Sequence, residues 1–236
     1  MSVIIEMDAR DLRQDLLLAL VDGVVTERMV DKLIKENRKL YESKFDEILR
    51  SAVYQQNIGL IEKLFSESSE VTQIVTHVFQ FAAYQKNDFM VNWIIARVTK
   101  QRGPVRLLSN VYRYGLDSPS EILYLWLKNE CKLREHAAAI LANSKKYGLV
   151  GGWRAIARYR DLGLSPELLR AAIINKWINW IKEFAKEPEL VRKVCLADGG
   201  AVLRRVWKKK LVMRLLLSMG VSRSDYASIG LLWTEV

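Results

Sequence analysis

Apolar residues recur at helical spacing along most of this chain. In the stretch 26–43, Met29, Val30, Leu33 and Ile34 fall on one face of a helix, and charged residues fall on the opposite face. The same spacing predicts helices over 8–23, 26–43, 44–56, 58–67, 70–86 and 88–100. No segment shows the alternation of apolar and polar residues that is typical of a half-buried strand. The pattern therefore predicts an all-α fold.

Proline and glycine mark helix boundaries in the second half of the chain. Pro119, Pro166 and Pro188 each precede an acidic residue and an apolar run. We predict that each proline occupies the first position of a helix, where its missing N–H costs no hydrogen bond. The stretch ADGGA at 197–201 is predicted to end or kink a helix, because glycine weakens a helix interior.

The tryptophans show a second regularity. Trp126, Trp153, Trp180 and Trp207 are 27 residues apart, and Trp233 misses the next step by one residue. The spacing is either a coincidence or the period of a helix-pair unit, with each tryptophan anchoring the contact between neighbouring units.

Two stretches that start 30 residues apart read as copies, SAVYQQNIGLIEKLF (51–65) and FAAYQKNDFMVNWII (81–95). The matching residues are Ala52 and Ala82, Tyr54 and Tyr84, Gln55 and Gln85, and Asn57 and Asn87. Each copy runs into an apolar segment that continues at helical spacing. The pair is either a true repeat or a chance likeness within an ordinary helical domain.

The second copy resembles the central part of an ankyrin repeat, in which two small residues precede a turn and an apolar second helix. Ala82 and Ala83 match the small pair, and the stripe is matched by Met90, Val91, Ile94 and Ile95. Gln56 and Lys86 stand where the family has a turn glycine. The resemblance implies a degenerate ankyrin-type array, or another α-solenoid of stacked antiparallel helix pairs. It also implies an interaction module, of a kind found in large DNA viruses. A compact multi-helix bundle on the same plan is the alternative.

The positive charge of the chain is confined to its second part. Of the 37 Lys and Arg and 27 Asp and Glu, residues 1–100 hold 13 and 15, and residues 101–236 hold 24 and 12. The change falls at KQRGPVR (100–106), so we predict a near-neutral half, 1–103, and a basic half, 104–236. The two halves are predicted to form either two domains or one continuous domain.

Basic residues and aromatics are mixed in the second half. The candidate anion-binding residues are Arg154 and Arg158 in WRAIARYR, and Arg204, Arg205, Lys208 and Lys209 in LRRVWKKKLVMR. The last four share one face of a predicted amphipathic helix over 202–217. Such clusters form a solvated surface, a nucleic-acid interface, or a surface for an anionic membrane or an acidic protein.

Little in the sequence suggests catalysis. Cys131 and Cys195 are too far apart for a zinc pair and too few for a disulfide framework. His77 is expected to be a core or edge histidine, and His136 to be exposed. The glycine clusters lack the Lys and Ser or Thr of a phosphate loop. We therefore expect no catalytic residue, metal or cofactor.

These observations lead to a functional prediction. We expect an intracellular, soluble, non-enzymatic helical-repeat module that binds another protein, and whose exposed residues include Tyr54, Gln55, Tyr84 and Gln85. No apolar run near the start approaches the roughly 20 residues of a spanning helix. The alternative is a nucleic-acid-binding or nucleoprotein component that uses the basic half.

Overall fold

The computed structural model describes residues 2–100, 107–143 and 152–231, with side chains from Leu12 onward. Within these ranges the chain forms helices and no strand, which confirms the predicted all-α fold. The chain divides into two compact units, Met1–Cys131 and Lys132–Val236. The boundary predicted between residues 103 and 104 lies outside the described ranges and stays a prediction.

Helices of the first unit form stacked pairs. In chain order they are α1 (Ser2–Val21), α2 (Glu27–Glu36), α3 (Arg38–Tyr54), α4 (Ile58–Glu67), α5 (Val71–Tyr84), α6 (Asp88–Lys100), α7 (Ser109–Asp117) and α8 (Glu121–Glu130). Each even-numbered helix packs on the odd-numbered helix before it. The odd-numbered helices pack in succession, α1 on α3, α3 on α5 and α5 on α7. The predicted stack of helix pairs is therefore present in this unit.

The second unit follows a similar order. Its described helices are α9 (Leu133–Ala142), α10 (Trp153–Asp161), α11 (Ser165–Asn175), α12 (Ile178–Lys182), α13 (Pro188–Val206), α14 (Lys210–Ser218) and α15 (Arg223–Ser228). Here α9, α11, α13 and α15 pack in succession, while α12 packs on α11 and α14 packs on α13.

None of the described helices is both long enough and apolar enough to cross a membrane.

The single helix predicted over 26–43 is wrong, because Asn37 divides it. Its backbone is non-helical, with φ −149° and ψ 70°. The Asn37 N–H donates to the Leu33 carbonyl and so closes α2, while its side-chain oxygen accepts from the Leu40 N–H and opens α3. Asparagine favours such caps because its side chain replaces a missing backbone partner. The stripe of apolar residues continues across the break, so periodicity alone could not reveal it.

Of the three prolines predicted at the first position of a helix, Pro188 occupies it in α13. Pro166 is the second residue of α11, one position later than predicted. Pro119 was predicted inside α8 but precedes it. The Ser120 hydroxyl takes the capping position and accepts a hydrogen bond from the Leu123 N–H at 3.2 Å.

The predicted interruption at 197–201 is confirmed. Asp198, Gly199 and Gly200 have φ of 52°, 63° and 78°, and they break α13 into two helical segments. Left-handed backbone is easy for glycine, which lacks a Cβ, so two glycines in succession suit this position.

Tryptophans at the 27-residue spacing do not share one role. Trp126 stacks on Phe79 with 5.6 Å between ring centroids, and Trp207 tilts against Tyr226. Trp153, in contrast, is 71% exposed. The idea that each of them anchors an equivalent contact is therefore wrong.

Candidate interaction surface

Helices α3 and α5 end in the same six-residue joint. The Asn57 N–H donates to the Ala52 carbonyl, and the Asn87 N–H donates to the Ala82 carbonyl, each at 2.9 Å. This bond from the sixth residue to the first defines a Schellman cap. Ala52 and Ala82 are fully buried, so the small residues of the two copies allow the helix ends to pack closely.

The joint places its fifth residue in the left-handed conformation. Gln56 and Lys86 have φ of 55° and 56°, at the positions where the ankyrin-type pattern has glycine. A side chain there costs about 1 kcal/mol or more, because Cβ approaches the following carbonyl oxygen. The turn therefore keeps its geometry although the favoured residue is absent.

Other helices end in the same way. At the end of α1 the Val24 N–H donates to the Ala19 carbonyl at 2.8 Å, and Gly23 is left-handed. In the second unit, the Trp177 N–H donates to the Ala172 carbonyl at 2.9 Å at the end of α11. The two copies recognised in the sequence are thus part of a wider set.

The asparagine that ends the joints of α3 and α5 also starts the next helix. The Asn57 side chain accepts from the Leu60 N–H at 3.0 Å, and the Asn87 side chain accepts from the Met90 N–H at 3.2 Å. Both act as N-caps, the role in which asparagine is among the preferred residues. The matching Asn of the two copies is therefore explained by helix capping.

Amide side chains connect one joint to the next. The Asn87 side-chain NH₂ donates to the Val53 carbonyl at 3.4 Å, and the Gln56 side-chain NH₂ donates to the Asn87 oxygen at 3.4 Å. Gln55 is half-buried and donates to the Ser51 hydroxyl at 2.7 Å. These bonds fix the register of neighbouring pairs at this end of the stack.

One exposed apolar or aromatic residue stands third in each of these joints of the first unit. Val21, Tyr54 and Tyr84 are 84%, 70% and 45% exposed. Val24, the sixth residue of the first joint, and Phe89, in the first turn of α6, are also exposed. We call these five residues the turn edge.

Neighbouring polar and aromatic residues support the turn edge. The Tyr84 ring meets the Tyr114 ring edge-on at 5.8 Å, and the Tyr114 hydroxyl lies 3.2 Å from the Gln80 side-chain oxygen. Burial, followed by the negative charge of Asp117, raises the pKa of Tyr84. Gln85 is exposed beside it, so Tyr54, Tyr84 and Gln85 are at the surface as predicted. Gln55, which was also predicted to be exposed, is half-buried because its side chain bonds to Ser51 of the same helix.

The sequence reasoning missed three residues of the turn edge. Val21 and Val24 were overlooked because the first joint shares only Ala19 with the two copies and has Gly23 where they have Gln56 and Lys86. Aligning Ala19 with Ala52 would have placed Val21 opposite Tyr54. Phe89 was read as part of an ordinary helix.

The basic residues predicted to bind an anion are not equally available. Arg158 is only 4% exposed, so its charge does not face solvent as that role requires. Arg204 donates to the Ile229 carbonyl at 3.0 Å and to the Gly199 carbonyl at 3.3 Å. Arg154 lies beside the exposed Trp153, 5.7 Å from the ring centroid.

The predicted amphipathic helix over 202–217 is wrong. Helix α13 ends at Val206, and the Lys209 N–H closes a tight turn onto the Val206 carbonyl at 2.8 Å. A continuous helix would have forced Lys210 onto its apolar face, and the break avoids that burial. Arg205, Lys208, Lys209 and Lys210 are exposed, and none pairs with an acidic residue of the described chain. We call these four residues the basic turn.

Both thiols are poor nucleophiles. Burial raises the pKa of Cys131 to about 11 and that of Cys195 to about 12, and neither forms a disulfide. A thiol with such a pKa has little thiolate at neutral pH. His77 is half-buried at the edge of α5, with its Nδ1 2.9 Å from Asp46, while His136 is exposed. The part of the chain that the structure describes holds no cluster of side chains suited to a metal ion.

Comparison of the chain with protein-family models found no match, and comparisons with curated proteins and with solved structures found none. The ankyrin-type resemblance therefore remains a prediction.

Proposed function

We propose that this chain is a non-catalytic helical-repeat module that binds another protein through the turn edge of its first unit. The observation that carries the proposal is the exposure of Val21, Tyr54 and Tyr84 at the same position of three joints. Single exposed apolar residues are ordinary on protein surfaces, whereas contiguous apolar patches commonly mark interaction sites.

The residue types at the turn edge favour a protein partner. Tyrosine is enriched among the residues that dominate binding energy, since it combines a large apolar ring with a hydroxyl group. Tyr54 and Tyr84 are held on successive helix ends, and Phe89 adds a further aromatic ring. Rings at repeated spacing suit a partner that extends along several helix pairs.

The turn edge is also well suited to binding because its backbone is fixed. The joints at the ends of α1, α3 and α5 are each closed by a backbone hydrogen bond, and the Asn87 side chain links two of them. Residues that are ordered before binding lose less conformational entropy in the complex.

A mutational test of the proposal requires that the binding partner be identified first. Affinity selection with the full chain identifies it, and calorimetry then compares the wild-type chain with the Tyr54→Ala/Tyr84→Ala variant. We expect the double variant to bind at least about 100-fold more weakly, since each central tyrosine is worth roughly 2 kcal/mol.

Leu125→Ala provides the matched control. Leu125 is an exposed apolar residue on α8, outside the turn edge. We expect its affinity to stay within about twofold of wild type. Equal affinities for the tyrosine variant and the wild type would refute the proposal.

A second proposal, nucleic-acid binding by the second unit, is supported by the basic turn. The sequence from Lys132 to Val236 has 20 Lys and Arg against 9 Asp and Glu. Part of this excess is used internally, for example in the Arg160–Glu187 pair at 2.8 Å, but the four residues of the basic turn remain exposed. Exposed cations neutralise phosphates, and the exposed Trp153 ring is of the kind on which bases stack.

Salt dependence tests this second proposal. Generic single- and double-stranded DNA are titrated at about 50 and 200 mM salt, where phosphate contacts predict a steep loss of affinity. Reversing Arg205, Lys208 and Lys209 to Glu should remove most of the binding. Reversing Arg28, Lys35 and Lys39, which are exposed on the first unit, is the control for net charge. Absence of binding at low salt would exclude this proposal.

A further inference from the structure

A cleft of about 470 Å³ lies in the first unit, beside the first half of α3 and the connection from α4 to α5. Its lining includes Tyr41, Phe45, Glu42, Asp46, Glu67 and Glu70. The volume is in the range of sites for small ligands. Tyr41 and Tyr54 are separated by 13 residues of the same helix, or about 20 Å, so the cleft is distinct from the turn edge.

The hydroxyl group of Tyr41 has no partner in the described part of the protein. Tyr41 is 5% exposed, and its hydroxyl makes no hydrogen bond there. Leaving a buried hydroxyl unpaired is costly, so such a group calls for an explanation, and a bound water, ion or ligand is one. Burial, and after it the negative charge of Glu67, raises the pKa of Tyr41 to about 12. Tyr41 is among the residues that line the cleft.

Four carboxylates and one guanidinium, that of Arg38, line the cleft, so its formal charge is negative. Of its carboxylates, Glu42 is paired with Arg38 at 3.1 Å, and Asp46 faces His77 at 2.9 Å. Glu67 and Glu70 are exposed and form no salt bridge with a described residue, although Lys63 is near enough to Glu67 for their charges to interact. Two acidic groups therefore remain available to a ligand.

Aromatic rings line the same cleft. The rings of Tyr41 and Phe45 meet edge-on with centroids 5.8 Å apart. Aromatic faces attract organic cations through the ring quadrupole. Carboxylates, aromatic rings and an unpaired hydroxyl acceptor together match an organic cation that carries N–H donors.

We propose that this cleft binds an alkylammonium or guanidinium group. The Tyr41 hydroxyl accepts one N–H hydrogen bond, the Glu67 and Glu70 carboxylates neutralise the charge, and the aromatic rings contact the aliphatic part. The group belongs either to a free polyamine or to a Lys or Arg side chain of another protein. This site does not depend on the proposed role of the turn edge.

Calorimetry on the full chain tests the site with two probes at constant ionic strength. Spermidine represents a free polyamine, and an acetylated Gly-Lys-Gly amide represents a protein side chain. We expect saturable one-to-one binding of at least one probe in the presence of millimolar Mg²⁺. Binding of spermidine alone assigns the site to polyamines, and binding of the peptide assigns it to protein side chains.

Three variants connect the binding to the cleft. Glu67→Gln/Glu70→Gln should weaken it at least about tenfold, because it removes both negative charges. Tyr41→Phe should weaken it by about three- to tenfold, because it removes a hydrogen bond to a charged group. Tyr41→Phe should leave the melting temperature unchanged or raise it, since it removes an unpaired hydroxyl, and this separates a ligand role from a structural one. Asp88→Asn, an exposed acidic residue of α6, should bind like wild type.

The proposal is overturned if neither probe binds, or if Mg²⁺ displaces the probe completely. It is equally overturned if Asp88→Asn weakens binding as much as Glu67→Gln/Glu70→Gln, because the attraction is then only that of the overall negative surface.

Discussion

The two units stack their helices in the same order. Ion pairs connect helices in both units, as in Arg97 to Glu62 at 2.7 Å in the first, and the joints of the first unit add uncharged contacts. In the first unit, the joints at the ends of α3 and α5 are linked by uncharged amides, as in the bond from Asn87 to the Val53 carbonyl. In the second unit, neighbouring helices are connected by arginines, as in Arg170 to Asp198 at 2.7 Å and Arg192 to Asp225 at 2.9 Å. The comparison shows that a basic composition is partly a structural feature, since these arginines bind acidic residues of their own unit.

The two units also differ in the side chains that they expose. The first unit exposes apolar and aromatic side chains at and beside its joints, and the second exposes the four cations of the basic turn. Surfaces of such different chemistry favour different partners. The following predictions test how much the joint that both units share, and the polar contacts between their helices, contribute to stability.

The largest effect is expected where the joint is most crowded. Ala82→Leu in the first unit and Ala172→Leu in the second replace fully buried alanines at the first position of equivalent joints. Each should lower the free energy of unfolding by about 2–3 kcal/mol, because added methylenes force helix ends apart. Urea unfolding measures the change, and Ala96→Leu, on the exposed face of α6, should cost less than about 0.5 kcal/mol. Tolerance of either joint variant would mean that the two units do not share this packing.

The next largest loss of stability is expected from breaking an ion pair of the second unit, Arg192 with Asp225. Asp225 is buried, caps α15 through Ser222, and accepts two hydrogen bonds from Arg192. Asp225→Asn should cost about 2 kcal/mol at neutral pH, because a charge-assisted interaction is lost. Urea unfolding at pH 7 checks the value, and an unchanged midpoint would show that the pair contributes nothing.

The stability difference between wild type and Asp225→Asn should also depend on pH. Burial opposes the ionisation of Asp225, but the Ser222 backbone N–H and the Arg192 guanidinium outweigh it and hold its pKa below the usual range. A carboxyl with a lowered folded pKa stabilises above its unfolded pKa of about 3.9, and this stability is lost as pH falls through the folded pKa. The difference between wild type and Asp225→Asn should therefore shrink below about pH 4. A constant difference would contradict this assignment.

Removing an amide hydrogen bond of the first unit should cause a smaller loss of stability, and this loss should not depend on charge. Asn87→Ala removes the N-cap of α6 and the bond to the Val53 carbonyl, so we expect a loss of about 1 kcal/mol. The loss should be the same at pH 4 and pH 7, because an amide does not titrate. Asn92→Ala, at an exposed position of α6, should change stability by less than about 0.5 kcal/mol.

The smallest effect is expected at the left-handed residue of the joint, where substitution by glycine should raise stability. Lys86 and Lys176 have φ of 56° and 61°, so Lys86→Gly and Lys176→Gly should each stabilise by about 0.5–1 kcal/mol. Lys193→Gly, within the helical part of α13, should destabilise by about 1 kcal/mol. Thermal melting separates the two signs, and destabilisation at Lys86 would show that its side chain contributes more than its backbone costs.

Much of the fold could be predicted because helical periodicity and the copied joint are local signals. The buried alanines, the capping asparagines and the interruption at 197–201 all follow from residue type and spacing. The break at Asn37 could not be predicted, because the apolar stripe continues through it. The break after Val206 left a signal, because Lys210 falls on the apolar side of a continuous helix. We expected its long side chain to reach solvent from there, and the chain instead ends the helix.

The candidate surface was only partly predictable. Tyr54 and Tyr84 were found because their neighbours are copied, whereas Val21 required an alignment on a single alanine. Which arginines form internal hydrogen bonds depends on partners far along the chain, as for Arg204 and the Ile229 carbonyl. A count of basic residues cannot distinguish these from the exposed cations of the basic turn.

The central claim, that Val21, Tyr54 and Tyr84 form one binding surface, is tested most directly by site-specific photo-crosslinking. A benzophenone side chain is placed at each of these positions in turn, and at Leu125 and Lys209 as exposed controls. The account predicts that all three turn-edge positions crosslink the same partner and that both controls do not. Crosslinking of that partner from Lys209 and from none of the three turn-edge positions would contradict it.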